Sequence, residues 1–140
     1  MKKFLSRTFS IGLAMLLILL TPTAFADAAV SVQPRWAELN TYQCALSYRQ
    51  GLFSNANVAS TAVTHSASSR LDLTLTIQIW NGGEYVDTSN SWTASGTGAT
   101  SIDKNVMLSQ GNYRAKAVVN VYAGSVYIET VTRYSDSMIV

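Results

Sequence analysis

Leu71-Asp72-Leu73-Thr74-Leu75-Thr76-Ile77-Gln78-Ile79-Trp80 carries an apolar residue at every second position. Leu71, Leu73, Leu75, Ile77 and Ile79 fall on one face of an extended chain. Asp72, Thr74, Thr76, Gln78 and Trp80 fall on the other. A period of two sustained over ten residues describes a half-buried strand and excludes an amphipathic helix, whose period is 3.6. Asn81-Gly82-Gly83 follows at once. These residues accept positive φ, so a hairpin turns there and returns through Glu84-Tyr85-Val86-Asp87 towards Ser91-Trp92-Thr93.

Outward from this hairpin the signals repeat. After the break at Gly96-Thr97-Gly98, a strand is predicted over Thr100 to Leu108, with Ile102 and Val106 inward. Tyr113, Ala115, Ala117, Val119 and Val121 share one face of the next strand. Ala123-Gly124-Ser125 then turns it into a partner over Val126 to Arg133. Trp36 to Tyr48 and Val58 to His65 supply two earlier strands joined through Gly51 to Asn57, with Ala59, Thr61 and Val63 read as inward. Leu108-Ser109-Gln110-Gly111-Asn112-Tyr113 has the spacing of a tyrosine corner, in which a strand-start Tyr bonds back to the preceding connection. About seven short strands with turns near every ten residues predict an all-β, antiparallel, immunoglobulin-like sandwich. A parallel sheet is excluded, because no stretch reads as a crossover helix.

The first 26 residues read differently. Three cations among the first seven residues precede the apolar run Ile11 to Leu20, then Thr21-Pro22-Thr23 and Ala24-Phe25-Ala26. That is the order of a helical, cleavable signal peptide, with Ala24 and Ala26 at the −3 and −1 positions and Asp27 as the new N-terminus. An apolar run of ten residues is half of the roughly 20 that span hydrocarbon. The predicted organisation is a signal peptide at 1–26, an extended segment at 27–35 and a β-sandwich at 36–140, released as a secreted protein. Seven of the ten Lys and Arg lie beyond residue 26 with all eight Asp and Glu, a net charge of −1. No basic patch therefore argues for nucleic acid or an anionic membrane, and membrane contact is expected only through the signal peptide before cleavage.

Candidate chemistry is sparse. Cys44 is the single cysteine, so no intramolecular disulfide forms and the domain relies on its core; it is read as a small buried hydrophobe. His65 is the single histidine, and its position after Val63 reads as partly buried and structural rather than as a catalytic base. Asp72, Glu84 and Asp87 are the nearest thing to paired carboxylates, and their outward positions suit a solvated face. Asp72 with Asp103 or Glu129 lacks the dense acidic spacing of a calcium loop, and no phosphate-binding glycine loop occurs. No cofactor or metal is expected, and the chain is not read as an enzyme. The aromatic residues are more suggestive. Trp80, Tyr85, Trp92, Tyr122 and Tyr127 cluster beside two hairpin turns, where exposed rings stack on sugars or anchor protein partners. They are the candidate ligand-binding residues.

Pro34-Arg35-Trp36, Gln78-Ile79-Trp80-Asn81-Gly82, Ser91-Trp92-Thr93-Ala94-Ser95-Gly96-Thr97-Gly98, Gly111-Asn112-Tyr113-Arg114-Ala115-Lys116, Tyr122-Ala123-Gly124 and Tyr134-Ser135 occur in that order. In this series the chain resembles a functionally uncharacterised family of short secreted proteins of Gram-positive, clostridia-like bacteria. The resemblance implies a secreted sandwich domain and supplies no active residues. Trp80 departs from the pattern before the Asn-Gly turn.

The expectation is a non-enzymatic exported domain that binds a glycan or a protein at or outside the cell envelope. The alternative is a secreted effector, of antimicrobial or toxin-like type, acting on other cells. Met138-Ile139-Val140 at the end of the last strand reads as an apolar edge on which a second chain can pair, which leaves the oligomeric state open.

Overall fold

The computed structural model describes residues 36–49 and 55–140. The stretches read from the sequence as a signal peptide with its cleavage site and as an extended segment at 27–35, and most of the Gly51 connection, lie outside the described residues. Eight strands follow one another: β1 (Leu39–Arg49), β2 (Asn55–Thr64), β3 (Ser69–Trp80), β4 (Tyr85–Thr97), β5 (Ala99–Val106), β6 (Asn112–Ala123), β7 (Val126–Tyr134) and β8 (Met138–Ile139). One sheet has the order β1-β2-β5. The other has the order β4-β3-β6-β7, with β8 added to β6. Every pairing is antiparallel. This is the predicted immunoglobulin-like sandwich.

β3 lies at the centre because its apolar face is the most complete. Leu71, Leu73, Leu75 and Ile77 are buried beside Val121, Val119, Ala117 and Ala115 of β6, their partners in register. Tyr42, Val58, Ala62 and Ile102 close over them from the other sheet. Each large side chain buried here contributes about 1.5–3 kcal/mol relative to exposure.

β2 corrects one expectation. Val58, Ser60, Ala62 and Thr64 face inward, and Thr61 is exposed. Alanine, serine and threonine alternate with little contrast in hydropathy, so this strand's face is set by its partner. Val58 pairs with Leu46 and Ala62 with Tyr42, both inward residues of β1. The inward hydroxyls are satisfied locally. Ser60 Oγ donates to the Gln43 carbonyl at 2.7 Å, and Thr64 Oγ1 donates to the Ser66 carbonyl at 2.7 Å. His65, one step past Thr64, is exposed rather than partly buried.

The connections have identifiable causes. Between β4 and β5 a single residue, Gly98, carries the chain from one sheet to the other at φ +74. A Cβ there would lie 3.1 Å from the Ala67 backbone, so the corner requires glycine twice over. Before β6, buried Tyr113 shares a hydrogen bond of 3.1 Å with Ser109, four residues back. The tyrosine corner is thus present, with a side-chain rather than a backbone partner. Gly111 makes room for it, since a Cβ there would meet the Tyr113 ring at 2.9 Å.

Two glutamates fasten the entry to β1. Glu129 of β7 accepts from the backbone N–H groups of Ala37, Glu38 and Leu39 at 3.1, 2.8 and 3.2 Å. Glu38 in turn accepts from Ser66 N at 3.2 Å and Ser69 Oγ at 2.7 Å, which ties the β2–β3 connection to the same point. The chain end is also held. Met138 and Ile139 pair with Tyr113 and Asn112, and Val140 exchanges backbone hydrogen bonds with Gly111 at 2.9 and 3.2 Å. The apolar end read from the sequence as a bare edge is therefore a short strand of its own, and Val140 packs on the core.

Candidate functional site

The polar alternates of β3 place one row after another on the outer face of the β4-β3-β6-β7 sheet. Gln78 stands between Asp87 of β4 and Arg114 of β6. Thr76 stands between Ser91 and Lys116, and Arg70 between Thr97 and Tyr122. β7 extends the rows, setting Tyr134 beside Lys116 and Tyr127 beside Tyr122.

The middle of this face is a closed polar network. Gln78 is 5% exposed, which would be costly without partners. Its Nε2 donates to Asp87 Oδ1 at 2.7 Å, and its Oε1 accepts from Arg114 Nε at 2.8 Å. Lys116 Nζ donates to both Asp87 oxygens at 2.7 and 2.6 Å. The Lys116 hydrogen bonds and the Gln78 amide hold the Asp87 carboxyl below the usual carboxylate range. Thr76 and Ser91 share a hydrogen bond of 2.9 Å.

The two ends of the face are aromatic. Near the β3–β4 turn, Trp80 is 42% exposed and meets Tyr85 edge-on, the ring centroids 5.1 Å apart. Tyr85 donates its hydroxyl hydrogen to Asn112 Oδ1 at 3.1 Å. The Arg114 guanidinium carbon lies 4.2 Å from the Tyr85 ring centre and 4.1 Å from that of Tyr134. At the opposite end Tyr122 and Tyr127 meet edge-on at 5.9 Å, with the Arg70 guanidinium 4.1 Å over Tyr122. From Arg70 to Trp80 the strand runs about 33 Å, so these are two separate clusters.

Four of the five sequence-predicted aromatics therefore share this face, and Trp92 does not. It pairs with inward Leu75, is half-buried and packs against the core. There it lines a cleft of about 340 Å³ with Thr93, Ala94, Ile102 and Lys104, where β4 and β5 meet. Its side follows from alternation, which three residues (Thr88, Ser89 and Asn90) opposite the single Ile77 leave unchanged: Asp87 and Ser91 face outward, so Trp92 faces inward. Arg114 and Tyr134 were missed as site residues. Arg114 had a usable signal, since it alternates with the inward set Tyr113, Ala115 and Ala117.

The acids do not converge. Asp72 pairs with Arg70 at 3.2 Å, Asp87 with Lys116, and Asp103 accepts from Asn57 at 2.7 Å. Among the described residues no three His, Cys, Asp or Glu side chains gather at one point. Cys44 is half-buried against the core, and burial pushes its thiol up to about 11, so it stays protonated near neutral pH. A larger concavity, about 660 Å³, lies among Ser47, Tyr48, Arg49, Asn55, Asn57 and Asn105.

No family model matches the sequence, and no curated protein matches it. Among solved structures, a chain titled "Crystal structure of protein from Archaeoglobus fulgidus" is similar at a TM-score of 0.32 and 10% identity. The match covers 73% of this chain and 97% of that one. A likeness of that size carries no argument about function.

Proposed function

We propose that this chain is an exported, non-catalytic binding domain that takes a glycan on the outer face of the β4-β3-β6-β7 sheet. The observation that carries the reading is exposed Trp80 against half-buried Tyr85 beside Arg114, at one end of a sheet face where Gln78, Asp87 and Lys116 are bonded to one another. A face of that kind is rigid before any ligand arrives, so little ordering entropy opposes binding. Its exposed ring offers an apolar surface to the C–H face of a sugar, with hydrogen-bonding groups at its margin. Export is supported by the signal-peptide pattern of residues 1–26. A non-catalytic role accords with the scattering of the acids and with exposed His65, which forms no ion pair among the described residues.

The test is retention of the exported protein on a panel of immobilised neutral and acidic glycans, with Trp80→Ala alongside. Retention on at least one glycan, weakened about tenfold or more in the variant, supports the reading, because a central aromatic anchor is worth about 2 kcal/mol or more. Retention on none of them overturns it.

A further inference from the structure

Three cations stand on the outer face of the β4-β3-β6-β7 sheet, and two of them have a carboxylate beside them. Arg70 pairs with Asp72 at 3.2 Å and Lys116 with Asp87 at 2.6 Å. Arg114 has no such partner among the described residues, and only its Nε is engaged, donating to Gln78 Oε1. The face therefore carries one unneutralised positive charge, and Arg114 holds it.

That arginine is unusually well held. The Tyr85 and Tyr134 rings flank the guanidinium at 4.2 and 4.1 Å, and such stacking keeps its plane fixed. Gln78 sets its Nε edge, and Gln78 is itself held by Asp87. What remains are the two Nη groups, four coplanar N–H donors with no acceptor among the described residues. A planar fork of this kind matches a carboxylate through two parallel hydrogen bonds. With rings against the guanidinium, approach is restricted to that plane, and one carboxylate balances the one free charge.

The surroundings narrow the ligand further. Tyr85 touches both Arg114 and Trp80, so the carboxylate receptor adjoins an exposed indole. In a uronic acid the carboxylate is attached directly to the sugar ring, which brings an anion and a flat C–H surface to neighbouring points. A glutamate or aspartate side chain brings the anion without the ring. We propose that Arg114 determines specificity on this face and selects a carboxylate-bearing glycan, of uronic-acid type, over a neutral one. The inference rests on the glycan-binding reading above and adds the ligand class.

The experiment uses the full chain expressed with its own leader and purified after export. Its affinity is measured for polygalacturonate and for the same polymer after methyl esterification. Polyglutamate, polyphosphate and a set of neutral glycans serve as controls. The expected result is polygalacturonate bound about tenfold or more tighter than its ester, the size of effect one charge-assisted pair supplies. Arg114→Lys, which keeps the charge and loses the fork, brings the acid form down to the level of the ester, while Trp80→Ala weakens both. Thermal unfolding of the lysine variant within a few degrees of the parent shows that the sheet is intact. Equal affinity for acid and ester, or an Arg114→Lys protein that still discriminates, overturns the acidic-ligand inference and leaves the glycan reading standing. Polyglutamate or polyphosphate bound as tightly as polygalacturonate also overturns it, since charge alone then suffices. Binding to neutral glycans only has the same consequence, and binding to no glycan in the set overturns both readings.

Discussion

Tyr42 and Tyr113 are both buried tyrosines on inward positions, 2% and 3% exposed, and their hydroxyls have opposite standing. Tyr113 Oη shares a hydrogen bond with Ser109 across the corner that opens β6. Tyr42 Oη has no hydrogen-bond partner among the described residues, and burial pushes its hydroxyl well above the ordinary tyrosine range. Removing a partnered buried hydroxyl costs about 1 kcal/mol, whereas removing an orphaned one relieves a desolvation penalty of similar size. Tyr113→Phe is therefore expected to lower unfolding stability by about 1 kcal/mol and Tyr42→Phe to leave it unchanged or raise it by about that much. Urea denaturation of the two variants checks this, and equal losses in both would contradict the assignment. Residue-scale reading of the sequence succeeded with Tyr113 because a Gly two positions before a strand-start Tyr has a steric meaning that is local. It failed to single out Arg114, because the rings that hold it come from β4 and β7 and are separated from it by 29 and 20 positions along the chain.

At the scale of elements, the entry to β1 depends on a side chain of β7. Glu129 accepts from three backbone N–H groups, and charge-assisted bonds of this kind are each worth about 1.5–3 kcal/mol. Glu129→Gln keeps the shape and removes the charge. Amide exchange at Glu38 and Leu39 is expected to speed up by about tenfold or more, with Leu73 and Val119 unaffected, because the opening is local. Uniform acceleration across all four amides would show instead that the clasp secures the whole fold. No such long-range clasp is visible in the sequence, where Glu129 is one acid among strand residues. What was visible is what repeats: β3 and β6 carry strong two-residue alternation, and both appear within about a turn's width of their predicted limits. β2 gave the wrong face because its alternation is between alanine, serine and threonine, residues that differ little in their preference for water. Trp92 was put with Trp80 although it lies seven residues after outward Tyr85, an odd separation that alternation along β4 assigns to the inward face.

For the molecule as a whole, the two edges of the sandwich are finished differently, and the difference bears on how it unfolds. On one side β1 lies near β7, laced by Glu129, which accepts from the backbone at the entry to β1. On the other, β4 and β5 are joined at the Gly98 corner and leave the Trp92 cleft between them. Neither edge is cross-linked, since Cys44 is the only cysteine. Cohesion must then come from the one apolar cluster that both sheets share, in which Leu75 is fully buried at the centre of β3. Truncation of such a residue costs about 2–5 kcal/mol, a large part of the total for a domain of this size. Leu75→Ala is expected to shift the denaturation midpoints followed by far-ultraviolet circular dichroism and by tryptophan fluorescence by the same amount. The transitions should stay coincident, because indoles at opposite edges, Trp36 and Trp92, rest on the same cluster. A reductant should move neither midpoint. Two separated transitions in the variant would mean that the laced edge and the open edge unfold as independent units, and that the shared core is not what joins them.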